Sequence, residues 1–445
     1  MLKTNKKAML YVIALSVIVI FISVTLFAWP KTSSSVNITD GTDGTNGTNG
    51  NDGANGFNGA AMDYTIVIAT DNSWYAAVPG VPSLPFYNET DATTLLDETI
   101  LALNGSIVKG GTIRILKGIL PLTHTVLLDP EVSLQGSGIF TILRAAANFS
   151  AMVSDSGNTA ASVRDISIEC SFGDNRVAVG INSTGNEFIV ENVWVSNFTG
   201  VGISIGNATT TFGTEITLHD CHVGPSAPSD AALLAGILVS QTTDALLDHC
   251  LINNVNGTGI LVNTSNGIII DRCTIENVNG TGIAIEFSNA CDVHSGRINV
   301  TTEAGISVTD SVNVDISHYD ISFCDGNGTN LAAVTYATVS TLSVSNCSSG
   351  IYLNDVDNST VSESFFLNST GRGIYMIDCN SNLVIQVHAG NNVGKVSDGG
   401  ASNHNQFSTS YFFDGLAMVG GNDVVLSCWT GTSWEVYVEG IYDSP

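Results

Sequence analysis

The chain has 445 residues and carries 14 Lys+Arg against 41 Asp+Glu, a formal charge of −27. That balance excludes nucleic acid as the natural partner and disfavours anionic polymers unless cations intervene. Charged residues are only 12% of the chain, so solubility must lean on Asn, Ser and Thr and on glycans.

Lys3, Lys6 and Lys7 precede Ala8–Ala28, a long apolar stretch without a charge, and only Lys31 follows closely. At ~1.5 Å per residue the stretch can cross a bilayer. The positive-inside bias makes residues 1–7 a cytoplasmic tail and places everything after Trp29 outside. The expectation is a single-pass membrane protein displayed on a cell or virion surface. A cleaved signal peptide, or a prepilin-like leader cut near Lys7, are the rival readings.

Residues 29–61 form a linker. Within it, Gly41–Ala61 is seven consecutive triplets with Gly first. Only Gly fits the axis of three wound chains, so this period points to a collagen-like homotrimer through residues 41–61. The segment has no proline and is short, and a flexible Gly/Asn/Thr spacer is the other reading.

Residues 62–110 read as an N-terminal cap region. Leu95, Leu96, Ile100 and Leu103 fall at helical spacing, and Asp91 or Thr90 can cap that helix. A cap is needed because an open coil exposes strand edges and core. Gly110–Gly118 (GGTIRILKG) then begins the strands.

A register with a period of 23 runs through the middle of the chain. Leu247-Asp248-His249-Cys250-Leu251-Ile252 aligns with Ile270-Asp271-Arg272-Cys273-Thr274-Ile275, and Asn256-Gly257-Thr258-Gly259-Ile260 with Asn279-Gly280-Thr281-Gly282-Ile283. Short alternating apolar runs broken by Gly, Asn and Ser read as strands and bends. Self-similarity at this period marks a solenoid, here a parallel β-helix. The inward columns are Leu218, Leu247, Ile270, Val293 and Ile316, and Val223, Ile252, Ile275, Ile298 and Ile321. Cys221, Cys250, Cys273, Gly296 and Tyr319 stack at a bend between them. About ten coils are expected over residues 111–385, in an all-β chain preceded by one transmembrane helix. After 386 the register fades, and residues 386–445 read as a C-terminal β cap or module.

The helix, the Gly-Gly-Thr-Ile strand and the repeated Gly-Ile coils resemble the pectin-lyase-like right-handed parallel β-helix proteins with PbH1 repeats, over residues from about 88 to 385. The resemblance implies the fold. It does not imply an activity, because that fold hosts lyases, hydrolases, epimerases, phage tailspikes and noncatalytic surface proteins. Enzymes of the family that act on pectin carry acid pairs or Arg-rich motifs in their coils. Thr258, Thr281, Ala304, Ser349 and Arg372 stand at the equivalent positions here, so those signatures are absent.

Three groups of residues remain as candidates. His219-Asp220, Asp248-His249, Asp271-Arg272 and His294-Ser295 precede the stacked bend column. Asp248, His249, Asp271 and Arg272 are the catalytic candidates, suited to acid–base work or weak divalent-metal binding; solvated turn residues are the bland reading. On the Gly-Ile strands, Tyr352 and Tyr375 lie one coil apart, flanked by Arg372, Asp355 and Asp378. Amphipathic aromatic faces suit sugar rings, although Tyr is also a good strand residue. Third, Asn-x-Ser/Thr sequons recur, among them Asn88, Asn182, Asn197, Asn256, Asn263, Asn279 and Asn368, as expected of a glycosylated exported surface.

The nine cysteines show no C-x-x-C spacing, so no zinc, and no cofactor, is expected. Cys250 with Cys273 and Cys324 with Cys347 are one coil apart, which allows disulfides or stacked buried thiols. Taken together, the sequence predicts a membrane-anchored extracellular β-helix protein, structural or adhesive, whose partners are extracellular glycans. The alternative is an extracellular polysaccharide lyase or glycoside hydrolase on the same fold.

Overall fold

The computed structural model describes residues 62–68, 74–77, 87–104, 110–155, 157, 160–206, 213–227, 235–393, 396–399, 405–408, 410–412, 416–418, 427–429 and 434–436. The expected membrane span at 8–28 and the triplets at 41–61 lie outside these residues. Among the described residues no helix is long and apolar enough to cross a membrane.

Each coil has three strands, one in each of three parallel sheets. In one turn these are Thr242–Asp248, Leu251–Asn253 and Thr258–Asn263; in the next, Asn266–Asp271, Thr274–Val278 and Ile283–Glu286. Sheet two alone has 13 strands, from Gly118–Leu122 to Tyr411–Phe412. The solenoid therefore has about a dozen turns, more than the ten or so expected. Below it, Met62–Ile68 adds a further parallel strand on Gly111–Ile115.

The predicted columns are the lumen. Ile252 pairs with Ile275, Ile275 with Ile298 and Ile298 with Ile321, all fully buried. Leu247, Ile270, Val293 and Ile316 stack likewise in sheet one. Each such side chain is worth roughly 1.5–3 kcal/mol of burial. The Gly-Ile strand starts follow from close packing. A Cβ on Gly259 would sit 2.5 Å from the carbonyl oxygen of Gly282 and 2.8 Å from Ile275 Cγ2, so only glycine lets the coils approach.

From Asp165 to Val387 the bend between sheets one and two takes two residues, a left-handed one and then a buried one. Asp220, His249, Arg272, Ser295, His318 and Thr341 occupy the first place with φ between 51 and 57 degrees. That region costs most side chains energy but is several-fold enriched in Asn, Asp and His. The bend stays in the ladder, since His249 N–H donates to Asp271 O at 3.1 Å and Arg272 N–H to His294 O at 3.0 Å. The second place holds Cys221, Cys250, Cys273, Gly296 and Tyr319, as expected. The Tyr319 ring fills the space over Gly296, where an added Cβ would lie 2.3 Å from Cζ.

The bend between sheets three and one carries a polar ladder that the sequence reading missed. Ser265, Ser288 and Ser311 are buried. Each hydroxyl accepts the N–H of the coil before it: from Thr242 (3.2 Å), Ser265 (3.1 Å) and Ser288 (3.1 Å). Each also donates to a carbonyl two residues back. Further on asparagines take over, Asn382 accepting from Ser359 N–H and Asn405 from Asn382 N–H. Buried backbone donors must find acceptors, and this ladder supplies them.

Two expectations need adjusting. The coils continue past residue 385: Leu383–Ile385 pairs in parallel with Gln406–Ser408, His388–Ala389 with Tyr411–Phe412, and Val396–Asp398 with Leu416–Met418. The spacing is kept in sheets one and two there, Leu383 facing Gln406 and His388 facing Tyr411, and shortens in sheet three, where Val396 faces Leu416. Cys221, Cys250, Cys273, Cys291, Cys324 and Cys347 are buried with free thiols rather than paired. Their thiols turn to backbone carbonyls instead, as Cys273 Sγ does to Asp271 O at 3.4 Å. Burial pushes the Cys291 thiol up to about 11, so it is inert. The helix is present as Ala92–Asn104, with Leu95, Leu96, Ile100 and Leu103 buried in the same core as the first coils. Asp91 caps it, accepting from Thr93 N–H at 2.7 Å and Thr94 N–H at 3.1 Å.

Candidate functional site

The first bend gathers the ridge residues into one bonded cluster. Glu191, His219, Asp248, Asp271 and His294 end successive strands of sheet one in register. Asp248 is its centre, with a side chain only 11% exposed. It lies 3.0 Å from His219 Nδ1, 2.9 Å from His249 Nδ1 and 2.9 Å from Arg272 Nη2. Arg272 also reaches Asp271 through Nε at 2.9 Å. The Asp248–Asp271 adjacency expected from the sequence is therefore observed, and Arg272 bridges the pair.

Burial alone would raise the Asp248 carboxyl. The His249 hydrogen bond and charge, with Arg272 and His219, outweigh it and hold the group below the usual carboxylate range. A carboxylate held ionised in this way is a poor general acid. Its geometry instead suits orienting the two imidazoles, whose rings stand edge to face at 5.8 Å. His219 Nε2 is 3.2 Å from Asp220 Oδ2, and donor atoms of His219, Asp220 and His249 all lie within 4.8 Å of one another.

One carboxylate on the outer face of sheet one behaves oppositely. Asp315 stands in register one coil beyond Asp292. Burial, then the Asp292 charge, push its carboxyl above the usual range, with His294 and His318 attenuating the effect. Its Oδ1 is buried without a hydrogen-bond partner. The sequence reading overlooked this pair although the repeat spacing shows it, because the same column begins with Leu246 and Ile269.

On sheet three, Tyr352 and Tyr375 pair in register with ring centroids 5.1 Å apart and planes at 62°. The Arg372 guanidinium lies 4.1 Å over the Tyr375 ring, a cation–π contact. Both rings are half-buried, and Asp355 and Asp378 sit exposed in left-handed conformations three residues beyond. The tyrosines do not make one flat platform, because they meet edge to face and Arg372 covers part of Tyr375. Below them in the same outward column are Asn330 and Ser307, bonded at 3.2 Å. Earlier coils differ: Leu261 and Ala284 are buried with Ala235 in a small apolar cluster.

Of the sequon asparagines, Asn256, Asn279 and Asn368 are exposed and Asn182, Asn197 and Asn263 half-buried; the side chain of Asn88 lies outside the described residues. Asn279 Nδ2 donates to Asn256 Oδ1 at 2.6 Å. A glycan on Asn279 would end that bond, and with a rung spacing of ~4.8 Å two sugars there would crowd each other.

The fold is the pectin-lyase-like right-handed parallel β-helix that the sequence resembles. Comparison with known proteins agrees. A family model described as "Periplasmic copper-binding protein (NosD)" matches residues 215–422, a little under half of the chain. No curated protein matches. Among solved structures, the A-module of mannuronan C-5 epimerase AlgE6 from Azotobacter vinelandii has a TM-score of 0.58 at 13% identity, covering 74% of this chain and 95% of the module. The AlgE4 A-module from the same organism gives 0.57 at 12%, covering 74% and 93%. Gene product 12 of bacteriophage phi29, in its pre-mature form, gives 0.53 at 9%, covering 73% of this chain and 50% of that one. Likeness at these identities shows the fold.

Proposed function

We propose that this is a surface β-helix protein, anchored through residues 8–28 with its bulk outside the membrane, that binds carbohydrate on the outer face of sheet three. The observation that carries the reading is the Tyr352–Tyr375 pair with Arg372 against it and Asn330 below. Half-buried aromatic rings edged by amide, guanidinium and carboxylate groups offer both the apolar face and the hydrogen-bonding rim of a sugar. The epimerase modules of like fold are named for a polysaccharide substrate, which supports a glycan ligand here. In the same reading the helix Ala92–Asn104 closes the first coil, residues 41–61 assemble a homotrimer, and sequons such as Asn256, Asn279 and Asn368 carry glycans.

The test is a glycan array probed with the chain from residue 62 onward, with reducing-end assays on the best binders. Tyr352→Ala and Tyr375→Ala should each abolish array binding while the circular dichroism spectrum stays unchanged. Binding that survives both substitutions overturns the assignment. Accumulation of product would instead favour the lyase or hydrolase.

A second reading has its own observation. The family model's description names copper, and copper takes imidazole and carboxylate donors. Among the described residues these gather at His219, Asp220 and His249, within the matched stretch. The fit supports metal binding at the first bend, several coils from the tyrosines.

A further inference from the structure

The arrangement behind the two imidazoles decides what they can do. Asp248 Oδ2 faces His219 Nδ1 and its Oδ1 faces His249 Nδ1, at 3.0 and 2.9 Å. Both rings therefore turn Nδ1 towards the one carboxylate and Nε2 away from it. A carboxylate that receives the outer N–H of a histidine is the usual arrangement behind a metal-ligating imidazole. Here one carboxylate serves two histidines.

We propose that the first bend binds one divalent late first-row transition-metal ion through His219 Nε2, His249 Nε2 and the Asp220 carboxylate, with Asp248 as the positioning residue behind both rings. This deepens the metal reading above and rests on it. Two imidazoles and a carboxylate are a donor set for Cu(II), Ni(II) or Zn(II), and three protein donors leave a position open to water or a small ligand. The local charge agrees. Asp220, Asp248 and Asp271 bring three carboxylates to the bend against the one guanidinium of Arg272.

The backbone explains why the donors meet. His219 ends a strand, whereas His249 is one coil on but one residue later, in the left-handed place above Asp220. That offset lets a strand-end imidazole and a bend imidazole flank the same carboxylate. The sequence reading put these residues on one ridge and named weak divalent-metal binding among its uses, but favoured solvated turn residues and, finding no C-x-x-C spacing, expected no metal.

The full chain, stripped with chelator, is titrated calorimetrically with Cu²⁺, Ni²⁺ and Zn²⁺ separately, and the Cu²⁺ form is examined by electron paramagnetic resonance. One ion per chain and hyperfine splitting from two imidazole nitrogens are expected. His219→Gln and His249→Asn should each reduce the splitting to one nitrogen; Asn suits the left-handed backbone at 249. Asp248→Asn should weaken affinity roughly 10- to 100-fold at unchanged stoichiometry. Absence of binding by the wild type overturns both the metal reading and this assignment. Wild-type binding that all three variants match leaves the metal reading standing and overturns the assignment to this bend.

Discussion

Replacing Ser288 with alanine tests whether the inner serine ladder holds the coils together. The hydroxyl accepts from Ser265 N–H at 3.1 Å and donates to Glu286 O at 2.7 Å, and Ser288 itself is buried. Glu286 O keeps another donor, Thr264 N–H at 3.0 Å, so little is lost on that side. The Ser265 N–H loses its acceptor inside the core. A buried unsatisfied donor costs about 1–3 kcal/mol, and the methyl left behind opens almost no cavity. By comparison, Ile275→Ala in the neighbouring lumen should cost about 2–5 kcal/mol. Because a solenoid is stabilised coil by coil, the sharper readout is local. Hydrogen exchange at the Ser265 amide should accelerate roughly 5- to 150-fold, with a smaller shift in the urea midpoint. Thr274→Ala, on the outer face of sheet two, should stay within ~0.5 kcal/mol. Wild-type protection at Ser265 in the Ser288→Ala protein would refute the reasoning.

Two further outcomes follow from buried and capping groups. Asp91→Ala should destabilise the first coil by about 1 kcal/mol at neutral pH, through loss of the helix cap. Burial opposes it, but the Thr94 and Thr93 N–H bonds leave the Asp91 carboxyl below its ordinary value. Its contribution is therefore present above the unfolded value of ~3.9 and lost as pH falls through the lower folded value. Thermal melts of the two proteins should converge only in that acid range, and convergence at pH 6 would sink the argument. Tyr319→Phe should leave stability unchanged or raise it by up to about 1–3 kcal/mol. The ring is fully buried and its hydroxyl has no hydrogen-bond partner, so removing the hydroxyl removes a desolvation cost. A lowered melting temperature would show that the hydroxyl is bonded.

The lumen was legible because it depends on one strict quantity, the coil length. Where the spacing holds at 23, as from Leu247 to Ile316, apolar side chains recur in phase and declare their direction. Where it drifts, as between Val396 and Leu416, the same strands pair in parallel but leave no repeat to read. Polar columns were harder for another reason. Ser265, Ser288 and Ser311 keep the period, yet serine at a bend reads as a turn residue whether its hydroxyl points to water or into the core. The ridge was half legible. Its stacking followed from the register, but nothing in the spacing says that His219 and His249 both turn Nδ1 to Asp248, since the register fixes backbone position and not side-chain rotation.

The placement of that ridge follows from which bends can vary. Between sheets two and three the connection runs from Asn253 to Thr258 in one coil but from Val223 to Ala235 in the one before. Between sheets one and two it is Asp220-Cys221, His249-Cys250 and Arg272-Cys273, two residues every time. From Asp165 to Val387 insertions therefore fall on the other two bends while the first keeps its geometry, its left-handed residue and its buried neighbour. Groups that must meet within a few tenths of an ångström need such a rigid base. The change in coil length between 219 and 248 is absorbed elsewhere, and the offset that brings two histidines to one carboxylate survives it. A loop of variable length in that corner would have separated them.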